Sequence, residues 1–220
     1  MQEPQGILFD FDYTLVDSSR GVIECIRYAL EQLGFPLVSD ERACQTIGLS
    51  LIDTFHNLTG ERKGGRDFAR LFVARAEQAM NEGTVLYPTV PTTVAALQQR
   101  GITLGIVSNK YRQRIEDLLR REGLLDAFAV IVGETDVSHH KPDPEGLLSA
   151  TASLGIQRAL YVGDSLTDAQ TARNACLPFV ATLTGTTPQA AFSGLPVAYY
   201  IRDLSELLTI DCLQLDKRTS

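Results

Sequence analysis

Two aspartates, Asp10 and Asp12, close the apolar run "ILFDFD", and Asp17 follows shortly after. Like charges at that spacing repel, and paired carboxylates partly out of water are costly unless a cation sits between them. The stretch therefore either binds something positive or is only a polar loop. Ser108 and Asn109 follow the run "ITLGIV", Lys141 opens "KPDP", and Asp164 and Asp168 follow "ALYVG". These are group types able to handle a phosphate and a metal.

Such residues need a scaffold that brings them together. From residue 84 onward, short β-rich runs alternate with helical patterns. "ITLGIVS" (102–108), "FAVIV" (128–132), "ALYVG" (159–163), "FVATL" (179–183) and "VAYYI" (197–201) read as strands, as does "GILFDF" (6–11). "TVAALQQRG", "RQRIEDLLRREG", "PEGLLSATASLG" and "DAQTARNAC" read as helices, several ending at glycine. Near-continuous apolar strands in βαβα order predict a doubly wound, mostly parallel sheet, a Rossmann-like α/β core covered by helices on both faces. In such a sheet, ligands bind beyond the carboxyl ends of the strands, and every polar group named above follows a strand or opens a helix at that edge.

Residues 18–82 break the rhythm. "RGVIECIRYALEQLG" puts Val22, Ile26, Ala29 and Leu33 on one stripe, and "DFARLFVARAEQAM" puts Phe68, Leu71, Phe72, Ala76 and Ala79 on another. Ser39 is placed to cap a further helix. The reading is an inserted helical cap domain over 18–82, with a core of 1–17 and 83–220.

Hydrophobic residues at 44% and charged residues at 21% are ordinary globular values. The net charge of −7 argues against nucleic acid or an anionic membrane as partner, but not against a small anionic substrate. Cys25, Cys44, Cys176 and Cys212 form no C-x-x-C pair, so reduced thiols in a cytoplasmic protein are expected. The N-terminus lacks a signal-peptide pattern, and no run is long enough to span a membrane.

With these residues in place, the sequence resembles the haloacid dehalogenase superfamily of phosphohydrolases. Four motifs match in order: "DFDYTLVD" (10–17), "VSN" (107–109), the lysine of "KPDP" (141–144) and "GDSLTD" (163–168). The helical insertion after the first motif looks like that superfamily's small cap. "TIGLSLIDTF" (46–55) resembles the cap segment of the branch holding phosphoglycolate phosphatases, pyrophosphatases and β-phosphoglucomutases. One departure stands out: Tyr13 occupies the place of the usual glycine. Either the loop keeps negative φ there, or the ring lines the site entrance.

The resemblance implies the roles. Asp10 attacks phosphorus and Asp12 serves as acid and then base; while strand geometry persists, residues i and i+2 point to one side. Asp164 completes a Mg²⁺ site with Asp10 and the backbone carbonyl of Asp12. Asp168 is second shell to that site or a first-turn helix acid. Ser108 and Asn109 bind the phosphoryl group through hydroxyl and backbone N–H, or cap the following helix. Lys141 neutralises phosphate oxygens and Asp10. Gly48 and Ser50 are the cap candidates for substrate contact. Arg62, Lys63, Arg66 and Arg70 read as a solvated face, Asp17 as a hinge acid, and His139 and His140 as loop residues.

The expected function is Mg²⁺-dependent hydrolysis of a small phosphorylated metabolite by a monomer or homodimer. A phosphomutase or a pyrophosphatase would share the motifs. A 2-haloacid dehalogenase would lack Asp12. A catalytically silent binding protein on the same fold is expected to have lost motif residues, and this chain keeps Asp10, Asp12, Lys141 and Asp164.

Overall fold

The computed structural model describes residues 4–210, the side chain of residue 81 aside. In chain order the elements are β1 (Gly6–Phe9), β2 (Val16–Asp17), α1 (Ser19–Gln32), α2 (Asp40–Cys44), α3 (Leu51–Thr59), α4 (Gly65–Gly83), β3 (Val85–Leu86), α5 (Val90–Gln99), β4 (Thr103–Val107), α6 (Arg112–Arg121), β5 (Val130–Val132), α7 (Glu145–Leu154), β6 (Ala159–Gly163), α8 (Leu166–Asn174), β7 (Phe179–Thr182) and β8 (Tyr199–Ile201).

The chain divides into two compact units. One takes the described residues up to Leu15 and from Leu86 onward; the other is Val16–Val85. These breaks lie at 15/16 and 85/86 rather than at the 17/18 and 82/83 read from sequence. The shift follows from β2 and β3, which pair as a two-stranded ribbon at the two crossings. Two-residue strands are too short to leave an alternation pattern.

In the larger unit, six strands run in the order β5-β4-β1-β6-β7-β8, and all five neighbouring pairs are parallel. Ile7, Leu8 and Phe9 of β1 are fully buried, as a central strand covered on both faces requires. β6 spans its whole run, 159–163, and the other strands stop short of theirs. The run 128–132 is strand only over 130–132, because Ala129 N–H is already spent on Leu104 O at 2.8 Å while the chain enters the sheet. The run 197–201 is strand over 199–201, and Ala198 N–H donates to Phe179 O at 2.8 Å. In the run 6–11 the strand ends at Phe9, so Asp10 lies just past it and Asp12 within the turn that follows, and the two do not share a strand face. Leu15 N–H closes that turn on Phe11 O at 2.9 Å.

The smaller unit is helical. Ser39 Oγ accepts from Arg42 N–H at 3.4 Å and starts α2, as its place in the sequence predicts. Its apolar core joins Val22, Cys25, Ile26, Ala29 and Leu30 of α1 to Phe68, Phe72, Ala76 and Met80 of α4, with Phe55 between Phe35 and Phe68. The α1 stripe therefore uses Leu30, and Leu33 is only half-buried. Glycine permits the closest approach of these two helices: a Cβ on Gly83 would lie 2.5 Å from Gly21 Cα. Cys25, Cys44 and Cys176 form no disulfide among the described residues, and Cys212 lies outside them. Among the described residues, no helix is long and apolar enough to cross a membrane.

Candidate active site

Strand order reverses on either side of β1: β4 follows it on one side and β6 on the other. That reversal makes the carboxyl end of β1 the topological switch point where open α/β sheets bind ligands. Asp10 is the first residue beyond it. Its N–H still donates to Val162 O of β6 at 2.8 Å, which fixes the backbone, and its carboxyl is 2% exposed by residue. Lys141 reaches the same place from the loop before α7. Its ammonium lies 2.9 Å from Asp10 Oδ1 and 2.6 Å from Asp168 Oδ1, and donates to Tyr161 Oη at 3.2 Å. Burial alone would lower the Lys141 pKa, but Asp10 and Asp168 hold it above its ordinary value. Burial, reinforced by the charge of Asp168, pushes Asp10 up to about 6 against the pull of Lys141.

Asp12 has a cation of its own. Lys110 Nζ donates to Asp12 Oδ1 at 2.7 Å, and the two side chains are only 8% and 11% exposed. The repulsion posed by paired acids is thus met twice by lysine, once at each aspartate. Sequence reading missed Lys110. The signal available was a lysine directly after "SN" in the loop that follows a core strand.

Ser108 is buried and its N–H donates to Val132 O at 3.0 Å. Neither it nor Asn109 caps α6, which starts at Arg112 after Tyr111. Two intervening residues are the reason. Ser108 Oγ instead accepts from Lys110 N–H at 3.3 Å, and Asn109 Oδ1 accepts from Lys141 N–H at 3.1 Å. The amide of Asn109 therefore ties the loop after β4 to the lysine loop.

Asp164 and Asp168 follow β6. Ser165 and Asp168 form a capping box on α8: Ser165 Oγ accepts from Asp168 N–H at 3.1 Å, and Asp168 Oδ2 accepts from Ser165 N–H at 3.0 Å. Asp168 Oδ1 takes Lys141 and lies 2.9 Å from Tyr161 Oη, which also lies 3.0 Å from Val107 O. Asp168 thus caps its helix and orients Lys141 at once. Asp164 is buried too, and burial, then Asp168 and Asp10, pushes its pKa well above the ordinary value.

Asp10, Asp164 and Asp168 bring carboxylate oxygens within 4.8 Å of one another. Lys141 alone offsets three buried acids. Asp10 Oδ1, although at ion-pair distance from Lys141, has no aligned hydrogen-bond donor. An all-oxygen donor set short of positive charge, with an orphaned buried oxygen, fits a hard divalent cation such as Mg²⁺. Both oxygens of Asp168 are already engaged, so Asp10 and Asp164 have the oxygens to offer.

Tyr13 has φ 59°, so the loop does not keep negative φ there. The left-handed conformation of a non-glycine residue is held by the loop after β7: Thr184 Oγ1 donates to Tyr13 O, and Thr182 Oγ1 lies 2.9 Å from Thr184 Oγ1. Gly48 and Ser50 belong to the helical unit, where Ser50 Oγ caps α3 by accepting from Asp53 N–H at 3.2 Å. Arg62, Lys63, Arg66 and Arg70 are exposed. Asp17 Oδ1 accepts from Ser19 N–H at 2.9 Å, and exposed His139 pairs with Glu145 at 3.1 Å.

Comparison with known proteins bears on the family and the fold. The profile of the haloacid dehalogenase-like hydrolases matches residues 7–182. Phosphoglycolate phosphatase of Salmonella typhimurium is 33% identical over 205 residues, covering 82% of this chain and 81% of its own. The enzyme of the same name from Escherichia coli K12 is 32% identical over 204 residues, with 81% of each chain covered. A Bacteroides fragilis protein described as a haloacid dehalogenase-like hydrolase superposes with a TM-score of 0.91 at 40% identity, over 93% of this chain and 100% of its own. The chain belongs to the haloacid dehalogenase-like hydrolases and is a phosphatase of that family.

Proposed function

We propose that the protein hydrolyses small phosphate monoesters, phosphoglycolate among them, through a phosphoryl group carried on Asp10. The observation that carries this reading is the separate pairing of the two acids, Asp10 with Lys141 at 2.9 Å and Asp12 with Lys110 at 2.7 Å. Two carboxylates in different surroundings suit two different tasks. An Asp10 oxygen attacks phosphorus, the bond from phosphorus to the ester oxygen breaks, and Asp12 gives that oxygen a proton. Asp12 then takes a proton from a water that attacks phosphorus, the Asp10–phosphorus bond breaks, and inorganic phosphate leaves with Asp10 restored. Ser108 and Lys141 hold the transferring group's oxygens, and Asn109 and Asp168 keep Lys141 in place. Asp10, Asp164 and the Asp12 carbonyl would hold Mg²⁺, which when bound supplies charge neutralisation between carboxylate and phosphate. The substrate follows the two relatives at 32–33% identity, which bear the name phosphoglycolate phosphatase.

Phosphate release from a panel of metabolites, with Mg²⁺ and with chelator, tests the reaction. Phosphoglycolate is expected among the best substrates and release is expected to stop in chelator. Mass spectrometry of the Asp12→Asn variant, quenched during turnover, is expected to show one phosphate on the peptide holding Asp10. Full activity in chelator, or label elsewhere, would refute the proposal.

A further inference from the structure

Lys110 is the buried cation that the reaction as written does not use. A buried ammonium costs several kcal/mol unless it is paired, and Asp12 pairs it. An ammonium has three N–H donors, and Asp12 takes one at 2.7 Å. The position is fixed: the Lys110 N–H donates to Ser108 Oγ at 3.3 Å, and its ammonium sits 5.6 Å from the centre of the Phe11 ring.

Its location follows from Asp12. To protonate the leaving oxygen, Asp12 must come within about 2.6–3.2 Å of it. Through Asp12 Oδ1, which Lys110 holds at 2.7 Å, that puts Lys110 Nζ within roughly 6 Å of the ester oxygen, and through the other carboxyl oxygen within roughly 8 Å. A carboxylate on the carbon that bears that oxygen, when turned toward Lys110, can close that gap. Around it stand Asp10, Asp12, Asp164 and Asp168, which repel an anion, and Lys141 is engaged with Asp10, Asp168 and Tyr161. Among the described residues, Lys110 is the cation paired with the proposed leaving-group acid, Asp12.

We propose that Lys110 is a specificity-determining residue whose ammonium takes an anionic substituent of the leaving alcohol, so that the preferred substrates are phosphate esters of hydroxy acids. This rests on the reading of Asp12 as the leaving-group acid. A hydrogen bond from a charged donor to such a group is worth about 1.5–3 kcal/mol, or roughly 10- to 100-fold in selectivity.

The test compares phosphoglycolate with its carboxamide, 2-phosphoglycolamide, which keeps the size and loses the charge, and uses 4-nitrophenyl phosphate as control. Wild type is expected to favour the acid over the amide by at least about tenfold in kcat/KM. Lys110→Gln is expected to remove that ratio, chiefly by raising KM for the acid. Lys110→Arg keeps the charge and is expected to keep the ratio within about threefold; it carries the test if Lys110→Gln does not fold. Equal losses on acid and amide in Lys110→Gln would show that Lys110 only positions Asp12 and would overturn the proposal. So would a lost ratio in Lys110→Arg with nitrophenyl phosphate turnover intact. Wild type that hydrolyses nitrophenyl phosphate yet treats acid and amide alike overturns the proposal and leaves the reaction standing. Wild type that hydrolyses none of the three overturns both.

Discussion

Gly185, in the loop after β7, backs directly onto Asp164: a Cβ at residue 185 would fall 1.9 Å from Asp164 Oδ2. No side chain fits there, so the loop fixes one face of the carboxylate by contact. Gly185→Ala is therefore expected to push Asp164 aside and to weaken apparent Mg²⁺ affinity by about tenfold or more, since a displacement of roughly 1 Å is felt strongly at a reacting centre. Activity titrated with Mg²⁺, alongside the thermal midpoint in chelator, separates this from unfolding. An unchanged titration would remove Asp164 from the metal site.

The two acids are expected to fail differently. Asp10→Asn would remove the proposed nucleophile and is expected to abolish turnover of every ester. Asp12→Asn would remove the proposed proton transfer, which is worth about 10²–10⁴ in rate. The loss is expected to be severe for an alkyl ester and small for the formation of phosphoenzyme from nitrophenyl phosphate, whose leaving group needs no proton. Rapid-quench comparison of the two esters checks this; equal losses in the first step would contradict the assignment.

The raised pKa of Asp10 has a consequence for stability. Its ordinary value is 3.8 and the folded value is about 6. The folded protein therefore holds this proton more tightly than the unfolded chain. The stabilising contribution is complete below about pH 3.8 and is lost as pH rises through about 6. In chelator, Asp10→Asn is expected to gain thermal stability relative to wild type across that window, and Mg²⁺ is expected to raise the wild-type midpoint more at neutral pH than at acid pH. Melting curves in chelator across the window test this, and a constant difference between the two proteins would exclude the shift.

Tyr161→Phe deletes a buried hydroxyl that accepts from Lys141 and lies beside Asp168 and Val107 O. Leaving such partners short costs about 1–3 kcal/mol, read from urea unfolding. Activity is expected to fall less than in Lys141→Met, which leaves Asp10 and Asp168 buried without their cation. If Tyr161→Phe were as inactive as Lys141→Met at full stability, Tyr161 would touch the substrate itself.

Much of the site was legible because strands and their following residues are local. The runs at 102–108 and 159–163 announced β4 and β6, and with them Ser108, Asn109, Asp164 and Asp168. Lys110 was not legible, because its meeting with Asp12 depends on β1 lying beside β4, and no local pattern states that neighbour. Tyr161 read as one apolar strand residue among five, since only the fold turns its hydroxyl toward Lys141. Gly185 and Thr184 follow a strand with no charged residue to mark them. The strand ends were misjudged for the opposite reason: Phe128 and Phe11 are apolar enough for a strand, but Phe128 N–H turns back to Leu125 O and Phe11 O accepts from Leu15 N–H.

The register of β1 also governs when the site can exist. Gly6 pairs with Thr103 on one side and with Ala159 on the other. On the ribosome the strand that presents Asp10 is made before both its neighbours and must wait for β4, about 100 residues on, and β6, about 150 residues on. Such long-range pairing is slow, and it leaves an apolar strand uncovered during synthesis. A nascent chain released before residue 159 would carry both aspartates, with an exposed strand edge in place of a pocket. Pulse proteolysis of stalled chains of increasing length is expected to show protection only once β6 has emerged, and earlier protection would contradict that order. Translation thus writes Asp10 and Asp12 about 150 residues before the strand that completes their surroundings.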